Sequence, residues 1–589
     1  MILQSLVEYY NRKSQDPTSD IARYGWKNKK LNKLIVISEE GDFRAIEDTE
    51  IEILVPADKE RSSEIRAYSL YDNPAYVLGY EFEIVQGQSV KLQTSIQTSN
   101  RKLSEKKKSF CDRLQKFVDV NPDNSELTAV QTFYKKYDNG EIQGLIFNTP
   151  NDTVTFKVEG SNNQTIIAPN LQIPSSIQSR GICLVTGNSD EIELTHGKVK
   201  GVIGATNNGT MVSFNMASAS SFNKEQGQNA PVGQESVFKY RTGAEYLLRK
   251  DSKQKMVCGD LTDKSSATTI IWWSEKGNLE EDFGDYWGMS TVDNPDFYTE
   301  KISQIMTAVY SGNLPSSEAE ERFYILGLGG NNGRIMIRFF YVQTVKECKE
   351  NIVQYYQDLQ LTSNFDEHPK LNDLLLSLVV KPKNAKPERK HILPQWEIWM
   401  LQSAFFGKMF SNSLLQQCLL RNKLENDNDK DGVKRRYQRT AIIKAIINRR
   451  IRMLRLSTNE NHKELTVSLD ETRTDVAYCT GRLFATLEKI QSESQNNNIN
   501  ATIRERFYGA ASTTPKTVFG TLLKLKNHHL NKLHMGRKIN FERLVTSIVA
   551  NISSFPSHFN LEEQGVFAIG YYHQMQAFYT KKTTIESEQ

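Results

Sequence analysis

Near Thr344 the hydrophobic pattern of this chain changes period, and that change limits its fold more than any single motif does. Upstream, short β-prone runs alternate with turn residues. Residues 33–47 (KLIVISEEGDFRAIE) are two such runs around Glu40-Gly41, and residues 141–158 repeat the arrangement around Asn151-Asp152. Residues 268–273 read as a short buried strand. Residues 323–342 (FYILGLGGNNGRIMIRFFYV) predict a hairpin across Asn332-Gly333, a pair suited to a two-residue turn. The GLGGNNG within it is no dinucleotide fingerprint, because that motif must open a helix and β-branched and aromatic residues follow here. Downstream the spacing turns helical over residues 345–360, 394–423, 434–456, 471–495, 515–534, 541–552 and 561–579. Thr514 before Pro515, and Asn560 before Glu562 and Glu563, mark two helix starts. The expected fold class is α+β: a β-rich N-terminal body with long polar loops (1–345), a helical connector (346–432), and an all-helical C-terminal bundle led by a basic helix (433–589).

At 589 residues the chain has room for several cores, roughly four at about 150 residues each. Its six cysteines are scattered with no CxxC pair, which argues against a disulfide framework or a cysteine zinc site and suits a reducing cytoplasm. Gln4 and Glu8 interrupt the first apolar stretch, so it is not expected to act as a signal peptide. No run approaches the ~20 apolar residues needed to span a bilayer, and a cytoplasmic protein without a membrane partner is expected. Catalytic signatures are missing as well: there is no GxxxxGKS/T loop, no GxSxG elbow and no acidic cluster suited to two metal ions. Asp260 and Asp263 are paired carboxylates without evident partners. His528, His529 and His534 lack the i, i+4 spacing and following glutamate of a zinc helix. The expectation is a binding protein with no catalytic residue, metal or cofactor of its own.

Two stretches point to what it binds. Residues 197–232 hold Gly201, Gly204, Gly209 and Gly227 among many Asn, Ser and Gln, beside Lys198, Lys200 and Lys224. Glycines let main-chain amides approach a phosphate, and side-chain amides such as those of Gln226 and Asn229 offer donors and acceptors to base edges. A long structural loop over a sheet is the alternative. Residues 433–456 carry Lys434, Arg435, Arg436, Arg439, Lys444, Arg449, Arg450, Arg452 and Arg455 with no acidic residue. These cations fall all round a helical wheel and alternate with Ile442, Ile443, Ile446, Ile447 and Ile451. Such a helix calls for an anionic partner, nucleic acid being the commonest, unless it is simply a solvated face.

Ordered segments along nearly the whole chain carry a family resemblance. They are MILQSLVEYYNRK followed by Gly25-Trp26, DNPAYVLG (72–79), CLVTGN, KGVIGA, SFNKEQGQNAPV, LGLGGNNGRIMIRF, GRLFATLEKIQ, the AAS-x-x-P of residues 510–515, and QGVFAIGYYHQ (564–574). Together they resemble the large subunit of the type I-C CRISPR surveillance complex (Cascade). Ala219 stands where the family usually has an aromatic, Asn223 where it has glycine, and Pro74 where it has a small residue. The resemblance implies a subunit without chemistry of its own, bound to crRNA and to the backbone, crRNA-end and small subunits. It implies that the chain reads the protospacer-adjacent motif (PAM) in double-stranded target DNA, helps open it, holds the displaced single strand and receives a helicase–nuclease. Asn73 is then the first choice for a base contact, with Gln226 and Asn229 next, beside Lys198, Lys200 and Lys224. Lys434, Arg435, Arg436, Arg439, Arg449 and Arg450 would hold phosphates, and Arg504, Lys516, Lys524, Lys532 and Arg537 the displaced strand. A small subunit started internally, at Met453 or Val467, would comprise the C-terminal bundle. The rival expectations are a DNA-processing enzyme with dispersed metal ligands, and a scaffold touching only crRNA and neighbouring subunits.

Overall fold

The computed structural model describes the chain apart from residues 59–60, 62–64, 81, 86–87, 92–100, 148, 175–179, 215, 260–263, 265, 278–279, 281–282, 285–303, 305–318, 364, 366–367, 383–384, 386, 426–428, 459–462, 496–501 and 580–589. Asp260 and Asp263 therefore lie outside the described residues. The described chain forms two compact units, residues 1–201 with 208–249, and residues 202–207 with 250–589.

In the first unit, β1 (Trp26–Lys30) pairs antiparallel with β4 (Glu52–Pro56). Strand β2 (Lys33–Ile37) runs antiparallel to β3 (Phe43–Asp48), as the hairpin pattern around Gly41 predicts. Gly41 has φ 77°, and a Cβ there would lie 2.6 Å from the backbone nitrogen of Phe133 and 2.8 Å from the carbonyl oxygen of Ala129. Only glycine meets both the left-handed turn and that close approach. The expected second hairpin does not form. Residues 141–147 contain no strand, and β7 (Val154–Val158) instead joins the other edge of β2 in parallel, giving the order β3-β2-β7. With neighbours on both edges and helices against it, every residue of β2 is buried. Two helices absent from the sequence expectation, α3 (Arg101–Val120) and α4 (Ser125–Asp138), supply Phe117 and Phe133 to the core around Ile35, Ile37 and Phe156. Ahead of both in the chain lie α2 (Pro74–Val77) and the antiparallel pair β5 (Phe82–Val85) and β6 (Gln88–Lys91). Helix α1 (Ile2–Gln15) packs on α5 (Gln234–Leu248), with the pair β8 (Arg180–Ile182) and β9 (Ser189–Glu191) completing the unit.

The second unit is built on a sheet of order β10-β13-β12-β11, from β10 (Ala205–Thr210, of which 205–207 belong to this unit), β11 (Lys255–Cys258), β12 (Thr268–Ser274) and β13 (Arg322–Thr344). All seven residues of β12 are buried, as its apolar run predicts. Strand β13 folds back on itself: the rings of Tyr324 and Phe340 stack at 6.2 Å, whereas sixteen extended residues would separate them by about 50 Å. The hairpin is thus present, although Gly333 does not adopt the positive φ that a type I′ turn requires. Helices follow: α6 (Val345–Leu359), α7 (Leu371–Leu378), α8 (Pro394–Phe406), α9 (Asn412–Leu424), α10 (Lys430–Thr458), α11 (Val476–Ser494), α12 (Ile503–Thr513), α13 (Pro515–Leu530), α14 (Met535–Val549) and α15 (Leu561–Tyr579). The single helix expected over 394–423 is broken at Gly407, whose φ of 59° ends α8.

The expected boundaries at 345 and 432 fall inside one core. Ile270, Trp272 and Ile325 of the sheet, Ile352 and Leu401 of the connector, and Ile446 of α10 belong to the same apolar cluster. A core continuous across a sequence position leaves no linker there. Helices α11 to α15 bury a second cluster around Phe484, Phe519 and Phe567, while Tyr478, Ile569 and Tyr572 face the first. Among the described residues, no helix is long and apolar enough to cross a membrane.

Candidate nucleic-acid interface

The glycine- and amide-rich stretch is built rather than slack. Residues 202–207 belong to the second unit, and the remainder to the first. In the first unit Gly227 donates its N–H to the Leu194 carbonyl at 2.9 Å. A Cβ on Gly227 would lie 2.8 Å from that carbonyl oxygen, so the close approach itself demands glycine. The Asn229 side chain accepts from Ser221 N–H (2.9 Å) and donates to the Lys224 (3.1 Å) and Gln226 (3.0 Å) carbonyls. Three non-glycine residues of this loop are held in the left-handed region, Phe222 (φ 52°), Asn223 (φ 56°) and Gln226 (φ 42°). Strain of that kind persists only where surrounding bonds over-determine the backbone. Asn229 is therefore spent on shaping the loop, whereas Gln226, Lys200 and Lys224 are exposed.

Gln226, Gly227 and Lys198 line a cleft of about 1280 Å³ that lies within the first unit. Arg61, Arg66, Arg113, Arg180 and Arg241 converge on it, with Asp58, Asp190, Glu191 and Glu193 and the rings of Tyr24, Trp26 and Phe238. Several of these cations are already engaged. Arg113 pairs with Asp58 at 2.6 Å, and Arg241 donates to the Lys198 carbonyl through Nε (3.1 Å) and a terminal nitrogen (2.8 Å). Arg61 pairs with Asp72 and lies over the rings of Tyr68 (4.0 Å) and Tyr76 (3.9 Å). Arg180 is exposed at the border of the cleft. His196 lines it too, at 2% exposure, its Nδ1 held by the Tyr240 hydroxyl at 2.9 Å. Burial, then the charge of Arg241, lowers the His196 pKa to about 4, so its ring is neutral at pH 7. None of Arg61, Arg66, Arg113, Arg180, Arg241 or His196 stood out in the sequence. Their scattered positions carry no local spacing that could have marked them.

Asn73 is the N-cap of α2, its side-chain oxygen accepting the Tyr76 N–H at 3.3 Å. The preceding Asp72 accepts from Tyr68 N–H and Asn73 N–H, both at 2.8 Å. Burial raises the pKa of Asp72 while the Arg61 hydrogen bond opposes that rise. The half-buried Asn73 thus has its acceptor committed to a helix end, which is the ordinary use of asparagine before Pro at the first helical position.

The basic helix is α10, and here the structure corrects the sequence expectation. Arg435, Arg439, Lys444 and Arg449 are buried. Arg435 donates to the carbonyls of Leu376 (2.8 Å) and Val379 (2.5 Å), at the end of α7. Arg439, fully buried, donates to Ser377 O (3.1 Å), Asn422 Oδ1 (2.7 Å) and Glu425 Oε2 (2.6 Å). Lys444 reaches Gln357 O (3.3 Å) and Asp358 O (3.1 Å) at the end of α6. Arg449 takes Ser403 O of α8 and Lys408 O, each at 2.8 Å, and the Asp358 carboxylate at 3.2 Å. The last four carbonyls of any helix lack intrahelical partners and sit at the negative end of its dipole. The cations of α10 supply the missing donors for three helix ends at once, so the anionic partner that the sequence demanded lies inside the protein. At the surface of the helix, Arg450 pairs with Glu562 (2.8 Å) and Lys434 with Asp373 (3.7 Å), while Arg436 reaches the Tyr571 hydroxyl at 3.4 Å.

Arg504 behaves like the buried cations of α10. It donates to Asn422 O near the end of α9 (3.2 Å) and lies over Tyr508 (4.6 Å) and Tyr571 (5.1 Å). Lys516, Lys524, Lys532 and Arg537 are exposed, with Arg537 paired to Glu493 at 2.6 Å. His529 bonds Ser494 (3.1 Å), and among the described residues no group of three or more His, Cys, Asp or Glu side chains is placed to hold a metal ion.

Compared with known proteins, residues 6–579 match the family model described as CRISPR-associated protein (Cas_Csd1). No curated protein matches the chain.

Proposed function

The chain belongs to the CRISPR-associated protein family Cas_Csd1, and from that membership we propose that it is the large, non-catalytic subunit of a type I-C crRNA-guided surveillance complex. In this reading it sits with crRNA and the backbone, crRNA-end and small subunits, and the first unit reads the PAM in duplex DNA. It then favours strand opening, holds the displaced strand and receives a helicase–nuclease. Guide pairing reads the long target sequence, so the protein need recognise only a short duplex element and backbone shape. The observation that carries the reading is the extent of the family match, which covers residues 6–579. The braced amide-rich loop supports it, since Gln226, Lys200 and Lys224 are exposed there and Lys198 and Gln226 line the adjoining cleft. Backbone and amide groups give base-edge and phosphate contacts, and cations add sequence-independent attraction.

The test is reconstitution of the crRNA-loaded complex with and without this chain, followed by binding to target duplexes randomised beside the guide-complementary segment. Preference for one short flanking sequence should require the chain. Equal preference without it would refute PAM reading, and cutting of DNA by the chain alone with Mg²⁺ or Mn²⁺ would refute a non-catalytic role.

A further inference from the structure

Resting on that reading, we propose that the cleft of the first unit receives one unpaired nucleotide, its base against the aromatic wall of Tyr24, Trp26 and Phe238 and its phosphate toward Arg180 and Lys198. Four features favour this ligand. The volume, about 1280 Å³, exceeds the ~300–1,000 Å³ of ordinary small-ligand pockets and leaves ample room for a base and its sugar. The wall is aromatic and partly open: Tyr24 is 49% exposed and meets Phe238 edge to face at 5.3 Å. Aromatic faces of this kind hold bases of single strands by stacking.

The third feature is His196. The ring is 2% exposed and lines the cleft, Nδ1 is taken by Tyr240, and Nε2 has no partner among the described residues. A buried polar atom left unpaired costs free energy that a ligand can recover. The edge of a base supplies either a donor or an acceptor for it, and the Gln226 amide stands on the same lining.

The fourth is the distribution of charge. Asp190, Glu191 and Glu193 line the cleft beside the cations. These carboxylates disfavour a polyphosphate or a duplex backbone inside it, yet accept readily from exocyclic amino groups of bases. A ligand with one anionic end and one amine-bearing aromatic end meets both demands. An unpaired nucleotide of a DNA or RNA strand has that form.

Three arms test the proposal on the full-length chain. In the first, DNA and RNA oligonucleotides of one sequence carry a single 5-iodouridine at successive positions and are photo-crosslinked, with adducts mapped by mass spectrometry. Adducts on Tyr24, Trp26 or Phe238 from one strand position are expected; adducts only on other residues overturn the proposal and leave PAM reading untouched. In the second, an abasic site at the crosslinking position should weaken binding about 10-fold in the wild type, the scale of one or two lost hydrogen bonds and a stacked ring. In His196→Phe that abasic penalty should shrink to about 3-fold, the ring packing against Tyr240 being kept; an undiminished penalty refutes the role of Nε2. Should that variant unfold, Gln226→Ala on the exposed rim serves the same comparison. In the third, free 5′-mononucleotides at millimolar concentration should compete only weakly for the adduct. Complete competition would make the site one for a free nucleotide and overturn the strand assignment.

Discussion

Replacing Arg439 by Met separates a structural arginine from a nucleic-acid contact. Its guanidinium is fully buried and donates to Glu425 at 2.6 Å, Asn422 at 2.7 Å and Ser377 O at 3.1 Å. Removing one member of a buried ion pair costs about 3–5 kcal/mol, because the remaining charge is stranded. Glu425 is not wholly stranded here, since Arg435 stays at 3.3 Å and Arg421 at 3.8 Å. Arg435 also remains 3.4 Å from Ser377 O. Those survivors place the loss near the lower bound, about 3 kcal/mol, or roughly a 150-fold shift in the folding equilibrium. Urea unfolding of the full chain, followed by the fluorescence of the buried Trp272 and Trp273, reads this as a lower transition midpoint for the second unit. Duplex binding by the protein that remains folded should keep its affinity and salt dependence. An unchanged midpoint together with a salt slope flattened by about 0.9 would return Arg439 to the DNA interface and refute the argument.

Asn73→Ala should lower the stability of the first unit by about 1 kcal/mol through loss of the α2 cap, whereas Asn73→Asp, which caps equally well, should preserve both stability and PAM preference; loss of preference in the Asp variant would mark a base contact. His573 is buried, with Tyr478 on Nδ1 at 2.9 Å, and burial, then Lys444 and Arg473, lowers its pKa to about 3. The unfolded state therefore binds the extra proton first, so stability of the second unit is complete above about pH 6.5 and falls as pH drops towards 3, by about 2 kcal/mol at pH 5; His573→Gln should flatten that decline in pH-dependent urea unfolding. The triple change of the exposed Lys516, Lys524 and Lys532 to Gln should leave stability within about 0.5 kcal/mol and, if they hold the displaced strand, reduce the single-strand salt slope by about 2. Mass spectrometry of the complex from the unmodified gene should show a C-terminal species beginning near Val467 rather than at Met453, which lies inside α10; no such species, or no effect of silent changes at both codons, would dismiss an internal start.

Much of the fold was legible because local physics decides it. The alternation about Gly41, the wholly buried β12, the proline-led start at Pro515 and the start at Leu561, capped by Asn560, each form as their residues dictate. The family resemblance was legible too, because it rests on the order of residues. What the sequence left open were matters of partner. Residues 154–158 read as half of a hairpin and became the parallel neighbour of β2, since strand pairing depends on what lies alongside and not on the strand itself. The cleft joins residues from Tyr24 to Arg241, and no spacing along the chain encodes that convergence. The run of cations in α10 determined that negative charge must be near; tertiary packing alone decided that it would be the carbonyl ends of α6, α7 and α8 with Asp358 and Glu425. A sequence records a charge but not its distance to the charge that answers it, and Coulomb energy depends on that distance and on the dielectric between.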